Sequence, residues 1–205
     1  MRGNRHYPDE PAGPFPRPPT TLEDDEGRTI TVSTLSADPS TLEELTEMYV
    51  RFHPEDRAQG IPPTGESSVR TWLEPIVADG LNVGARSEPD SDEPASGEAS
   101  ASTIVGHATL VPERGRLSDL ADPGSVEWEL AIFVLQAYQR AGIGTALVEH
   151  LLGAAAARGI DRVWLTVEPW NGPAISLYER VGFETVDADS FDREMTIRLP
   201  PETTG

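Results

Sequence analysis

The sequence predicts one α/β domain of the α+β kind, in which strands follow one another instead of alternating regularly with helices. Three observations carry that reading. The predicted element order is βααβββαβαββ, two helices early and then several strands in succession, which departs from a regularly alternating doubly wound sheet. The length of 205 residues suits a single domain with a real core. Residues 126–144 (VEWELAIFVLQAYQRAGIG) read as a strand that runs straight into a glycine-containing turn and then a helix.

Taken in order, residues 1–28 carry Pro at 8, 11, 14, 16, 18 and 19 with few aliphatics, and are expected to form a disordered arm. The domain proper spans 29–199, with 200–205 as a tail. Residues 29–35 alternate and predict a strand. Leu42, Leu45, Tyr49 and Phe52 fall at helical spacing behind Ser40 and Thr41, good N-cap types, and Pro54 ends that helix. Residues 67–78 predict a second helix with Val69, Trp72, Leu73, Ile76 and Val77 on its apolar face. Strands at 81–85 and 104–111 flank an acidic insertion, 87–102, without apolar periodicity. A strand at 125–135 leads to a helix at 145–158 closed by Gly159. A strand at 162–167 precedes a short helix at 173–180, with Pro at its first position and Gly182 beyond it. Strands near 183–186 and 194–199 complete the domain.

Composition excludes several chemistries. The basic residues number 16 and all are Arg; Lys and Cys are both absent. A Walker-A loop, a kinase site and a pyridoxal-phosphate Schiff base all need Lys. Without Cys there is no thiolate nucleophile, disulfide or cysteine-based metal site. His6, His53, His107 and His150 show no ligand spacing, so no metal is expected. A formal charge of -19 argues against a nucleic-acid partner, since the scattered Arg residues form no basic patch. The longest apolar runs fall far short of the ~20 residues that span a bilayer, and the polar start does not read as a signal peptide. A cytoplasmic protein, monomeric or homodimeric, is expected. The carboxylates are spread along the whole chain, which suggests a halophilic surface adapted to concentrated salt rather than an acidic tail.

The stretch richest in chemistry is 126–144. Gly142 and Gly144 let the backbone approach a partner closely, and the start of the following helix offers free N–H groups and a dipole suited to a pyrophosphate, with Arg140 beside it. A plain tight turn would also need glycine. A dinucleotide fold would want a third glycine where Leu147 stands. A third reading is acyl-CoA binding.

Gln139-Arg140-Ala141-Gly142-Ile143-Gly144 resembles the Q/R-x-x-G-x-G/A signature of the GNAT N-acetyltransferase superfamily, and Val134 stands where that family ends its fourth strand. Asn171-Gly172-Pro173-Ala174-Ile175-Ser176-Leu177-Tyr178, followed by Gly182-Phe183, matches a second signature, N-x-x-A-x-x-L-Y-x-x-x-G-F. The resemblance covers about 29–199. It implies a mixed, mostly antiparallel central sheet flanked by helices and splayed between its fourth and fifth strands. It implies acetyl-CoA as co-substrate and direct acetyl transfer to a primary amine. The amides of Arg140, Ala141, Gly142, Ile143, Gly144 and Thr145, with Gln139, would cradle the pyrophosphate. The main chain of Ile132, Phe133 and Val134 would pair with pantetheine like an added strand, placing the thioester between Val134 and Val167. Asn171 would bond pantetheine or the neighbouring backbone, and Tyr178 would protonate the departing thiolate. A backbone N–H near Val134 would meet the oxyanion.

An amine must be neutral to attack, and a carboxylate can take its proton. Alternation puts Glu127, Glu129, Ala131 and Phe133 on one strand face. Glu129 is the leading general base, at the position used by a protein-lysine branch of the family; Glu127 is second. Residues 51–65, which include acidic Glu55 and Asp56, are loosely similar to the acceptor region of that branch. A protein lysine is the expected acceptor. A protein N-terminus, a small amine, or a non-catalytic acyl-CoA-sensing role are the alternatives. His107 reads as a packed core residue.

Overall fold

The computed structural model describes residues 5–52, 62–88, 102–187 and 192–200. The strands are β1 (Thr20–Glu23), β2 (Thr29–Thr34), β3 (Leu81–Ser87), β4 (Thr103–Pro112), β5 (Trp128–Val134), β6 (Arg162–Val167), β7 (Glu184–Asp187) and β8 (Arg193–Arg198). The helices are α1 (Pro39–Val50), α2 (Glu66–Asp79), α3 (Ile143–Ala156) and α4 (Gly172–Val181). They build one sheet in the order β1-β2-β3-β4-β5-β6-β8-β7. Every pairing is antiparallel except β5 with β6. The mixed, mostly antiparallel sheet is therefore present, and the expected fourth and fifth strands are β5 and β6.

Only Trp128–Val163 and Glu129–Trp164 pair across β5 and β6. Beyond Glu129 the two strands part, while β5 stays paired with β4 as far as Val134 opposite Gly106. A V-shaped gap thus opens in the middle of the sheet.

The two faces are covered by different helices. The Phe133 ring lies 5.2 Å from Tyr49, 6.1 Å from Phe52 and 5.9 Å from Trp72, which puts α1 and α2 on its side. The next residue along, Ile132, points the other way, toward the start of α3 near Gly144. Helix α3 is apolar nearly all round. Ile143, Leu147, Val148, Leu151, Leu152, Ala154 and Ala155 are buried, as expected for a helix enclosed by a sheet on one side and further chain on the other.

That further chain is the N-terminal arm, and here the structure corrects the expectation of disorder over 1–28. Residues 20–23 form β1, paired with β2 from Thr20–Val32 to Glu23–Thr29. Residues 5–19 lie against the domain. Arg5 reaches Glu113, Glu127 and Glu194. Thr196 Oγ1 donates to His6 O (2.9 Å), and Ala12 N–H donates to Arg198 O (2.8 Å). Ala12, Phe15 and Leu22 pack against the core. The arm is held by main-chain bonds, one multiply paired Arg and a few apolar contacts, none of which shows as apolar periodicity. Residues 1–4 lie outside the described residues, as do most of the acidic insertion (89–101) and tail (201–205).

Helix α1 starts earlier than expected, because Asp38, and not Ser40 or Thr41, is its N-cap. The Asp38 carboxylate accepts from Thr41 N–H at 2.8 Å and from the Ser40 hydroxyl at 2.7 Å. The region 53–61, where acceptor contacts from Glu55 and Asp56 were expected, lies outside the described residues.

Candidate active site

The turn into α3 is built by unusual backbone. Arg140 has φ 60° and Gly142 φ 82°, the left-handed region. Gly142 is the N-cap of α3, has no side-chain capping bond, and no acidic residue follows in the first turn. Ala146 N–H is bonded back to Gly142 O, so the N–H groups of the first turn lack helical partners. A Cβ on Gly142 would meet open space. On Gly144 it would lie 3.2 Å from Leu177 Cδ1, so that glycine serves the close approach of α3 and α4. Gln139 Nε2 donates to Val134 O (3.0 Å), closing the turn over the end of β5. Ala141 and Ile143 are buried and anchor the loop.

The β1–β2 turn buttresses this loop, a contribution invisible in the sequence. Asp25 N–H donates to Ala141 O (3.3 Å), and Arg28 Nη1 donates to Ala137 O (2.9 Å). Arg28 also stacks over Tyr138 at 4.2 Å and is held by Asp24.

The loop opens onto a cleft of about 520 Å³ lined by Val134, Gln139, Arg140, Gly142, Thr145 and Arg180, among others. Arg180 went unnoticed in the sequence; in the last turn of α4 it reads as an ordinary C-terminal helix cation. Uncapped N–H groups at a helix N-terminus and two Arg side chains line one cleft, an arrangement whose chemistry suits a doubly charged anion such as the expected pyrophosphate.

A second cleft, about 360 Å³, is lined by Trp72, Ile76, Val111, Glu129, Phe133, Glu168 and Tyr178, among others. Both clefts share Ile132, Asn171 and Ala174, so they meet at the mouth of the V. Leu135 N–H bonds Val105 O, and Glu113 N–H bonds Glu127 O. These bonds fix the phase of β5. The main-chain groups of Phe133 turn toward β4, and those of Ile132 and Val134 turn toward the gap. Of the three residues expected to pair with pantetheine, Ile132 and Val134 turn main-chain groups to the gap, whereas Phe133 turns its own to β4 and lines the other cleft with its ring.

Glu129 is exposed on β5 and lines the second cleft. Glu127 is held by Arg5 at 2.6 Å, which leaves it as a structural partner of the arm. Tyr178 is buried on α4 against Phe183, with ring centroids 5.7 Å apart, and lines the same cleft as Glu129. Burial pushes its phenol well above the ordinary range, so it keeps its proton at neutral pH. Asn171 is the N-cap of α4; its Oδ1 accepts from Ala174 N–H at 3.3 Å. Glu168, at the end of β6, adds a second carboxylate to the cleft that the sequence did not single out.

His107 is packed in the core, as expected. Asn82 Nδ2 donates to Ile76 O (3.1 Å) and Gly80 O (3.3 Å), so its Oδ1 accepts from His107 Nε2–H at 3.0 Å. His107 Nδ1 then accepts from the Tyr49 hydroxyl at 2.8 Å. Burial lowers the imidazole pKa to about 3, and it stays neutral. Among the described residues no cluster of His, Asp and Glu could hold a metal ion, and no helix is long and apolar enough to cross a membrane.

Comparisons with known proteins agree with this geometry. The chain is 50% identical over 46 residues to the [ribosomal protein bS18]-alanine N-acetyltransferase of Escherichia coli (strain K12), covering 22% of this chain and 31% of that protein. It is 29% identical over 165 residues to the mycothiol acetyltransferase of Nocardioides sp., covering 78% of this chain and 52% of that protein. The chain thus spans from a third to about half the length of these relatives. The GNAT domain of S. lividans PAT superimposes with a TM-score of 0.64 at 19% identity, over 88% of this chain and 97% of that domain. The model of the acetyltransferase (GNAT) family matches residues 42–183, from α1 through the glycine turn and α4 to Phe183. With that match over more than half its length and a sheet that splays at the expected pair of strands, the chain belongs to the GNAT acetyltransferase family.

Proposed function

We propose that the protein is an N-acetyltransferase that moves the acetyl group of acetyl-CoA directly to a primary amine, with a protein lysine as the favoured acceptor. One observation carries the reading. The uncapped start of α3 and the Glu129–Tyr178 cleft meet at the gap between β5 and β6.

The donor's pyrophosphate binds the first-turn N–H groups of α3, with Arg140 and Arg180 adding charge. The Ile132 and Val134 edge takes the pantetheine by strand addition. That orients the thioester into the gap beside Val167, where a backbone N–H near Val134 stabilises the oxyanion. Neutralising a lysine at pH 7 costs about 4–5 kcal/mol in population from a pKa of ~10.4; Glu129 takes that proton, directly or through water. The amine nitrogen bonds to the acetyl carbon, the C–S bond breaks, and Tyr178 gives its proton to the thiolate sulfur. Neither Cys nor Lys is present to carry the acetyl group as a covalent intermediate.

The second cleft supports lysine. Trp72, Ile76, Val111 and Phe133 make apolar walls suited to a long methylene stem, and Glu129 and Glu168 meet a cationic tip. A protein α-amine is the second reading, favoured by the identity to an alanine N-acetyltransferase. A cytoplasmic setting belongs to the same proposal, as does a working medium of concentrated salt, the latter supported by the -19 charge.

The test is thiol release from acetyl-CoA in high salt. Its acceptors are a lysine peptide with a blocked N-terminus, a lysine-free peptide with a free N-terminus, and small amines. Release with the blocked lysine peptide is expected. Release with the free N-terminus alone moves the acceptor to the α-amine. Acetyl-CoA binding without release to any amine overturns the enzymatic reading in favour of a sensor.

A further inference from the structure

We propose that Glu113, Glu127, Glu194 and Trp164 form a subsite for a guanidinium group of a peptide acceptor, and that Arg5 of the chain's own arm occupies it in cis. The peptide-acceptor part rests on the function proposed above; the subsite itself does not.

The site gathers distant parts of the chain. Arg5 Nη1 is 2.5 Å from Glu113 Oε1 and 2.6 Å from Glu127 Oε2, and Arg5 Nε is 3.2 Å from Glu194 Oε2. The guanidinium carbon stands 3.6 Å over the centre of the Trp164 ring, within cation–π range. Only 8% of the Arg5 side chain is exposed. A planar cation stacked on an indole and ringed by carboxylates is how a site built to read arginine looks. The buried Trp164 Nε1–H is a donor without an acceptor among the described residues.

Two features argue that Arg5 is an exchangeable occupant. Three carboxylates meet one guanidinium, a larger acceptor set than a single pinning contact needs. Two neighbouring arm contacts are to main-chain carbonyls that any extended peptide can supply, Thr196 Oγ1 to His6 O and Arg198 Nη1 to Asp9 O at 3.5 Å, while the Tyr7 phenol oxygen is buried beside Glu127. Position ties the subsite to the reaction centre. Trp164 is the direct partner of Glu129 across β5 and β6. Glu127 lies two residues from Glu129 on the same face, roughly 7 Å along the strand. A basic side chain held here therefore lies about two residues from the acceptor amine in an extended peptide. Arg5 would compete with it, and removing Arg5 would vacate a preformed site.

The test uses an extended arginine peptide whose amines are all acetylated, so that no turnover is required. Binding is titrated calorimetrically to the wild type, to Arg5→Ala and to Arg5→Ala/Glu194→Gln. We expect at least about tenfold tighter binding to Arg5→Ala than to the wild type. The double variant should lose most of that gain, and a citrulline peptide should show none. Equal affinity for wild type and Arg5→Ala, or a gain that survives citrulline, overturns the subsite. A wild-type measurement stands beside these should Arg5→Ala not fold. The arginine peptide should speed amide hydrogen exchange over residues 5–9, and unchanged exchange at saturation overturns the proposal. Failure of acetyl transfer in the thiol assay would strike the enzymatic reading and leave these binding outcomes standing.

Discussion

Glu129 is an exposed carboxylate on a strand whose other outward side chains, Ala131 and Phe133, are apolar and half-buried. A base at this place should govern proton removal without touching the donor. Glu129→Gln is expected to leave acetyl-CoA affinity unchanged and to slow transfer by about 10²–10⁴-fold, the usual loss for a general base. Unchanged turnover would hand the role to Glu168, the second carboxylate of the cleft. His107 makes a prediction of another kind. Its folded pKa is about 3, against an ordinary value of 6.5, so in that window the unfolded chain binds a proton that the native one refuses. Stability from this residue is complete above pH 6.5 and is lost as pH falls toward 3. Melting temperatures of wild type and His107→Gln, read from pH 7 to pH 4, should therefore converge on acidification. Parallel curves would show that burial does not hold the imidazole neutral.

Elements differ in how openly the sequence announces them. The turn into α3 and the start of α4 were legible because their backbone demands particular residues. Gly142 takes a left-handed φ, and Asn171 caps a helix that begins with Gly172-Pro173. Glu129 and Tyr178 were legible through the same register and were brought to one cleft. The edge proposed for pantetheine was only half legible, since which main-chain groups face the gap depends on the phase of β4–β5 pairing and not on side chains. The arm was illegible. Its hold combines Arg5, the β1 ladder and a backbone seat on α3. That seat explains Gly153. A Cβ there would stand 2.0 Å from Pro16 O and 2.7 Å from Pro16 C. In a free helix Gly→Ala gains about 1 kcal/mol. Here Gly153→Ala should instead expel residues 15–16 from α3. Limited proteolysis should cut the arm at least several times faster in the variant, while α3 and the sheet stay protected. Equal cutting rates would mean that the arm is not seated on α3 in solution.

For the molecule as a whole the governing fact is charge. Acidic residues number 35 against 16 Arg, a net -19. The Arg residues are already engaged in several places, among them Arg5 with three Glu, Arg28 with Asp24, Arg86 with Glu44 and Arg116 with Asp79. Pairing every Arg once would still leave 19 of the 35 carboxylates without a cation, and three carboxylates converge on Arg5. Folding brings these charges within a screening length of one another. That length is about 10 Å at 0.1 M salt and about 3 Å at 1 M. In dilute buffer the compact state therefore carries a repulsion that the expanded chain escapes, and concentrated salt removes it. Raising KCl from about 0.1 M to above 1 M should raise the melting temperature steadily, with most of the gain below about 1 M, where the screening length changes most. The same titration weakens the exposed ion pairs, but these are worth at most about 1 kcal/mol each and oppose the trend only slightly. A melting temperature that is flat or falls across the series would show that the carboxylates are spaced widely enough to be tolerated in dilute buffer. The acidity would then have to be explained by what binds this surface, beginning with the guanidinium subsite beneath Arg5.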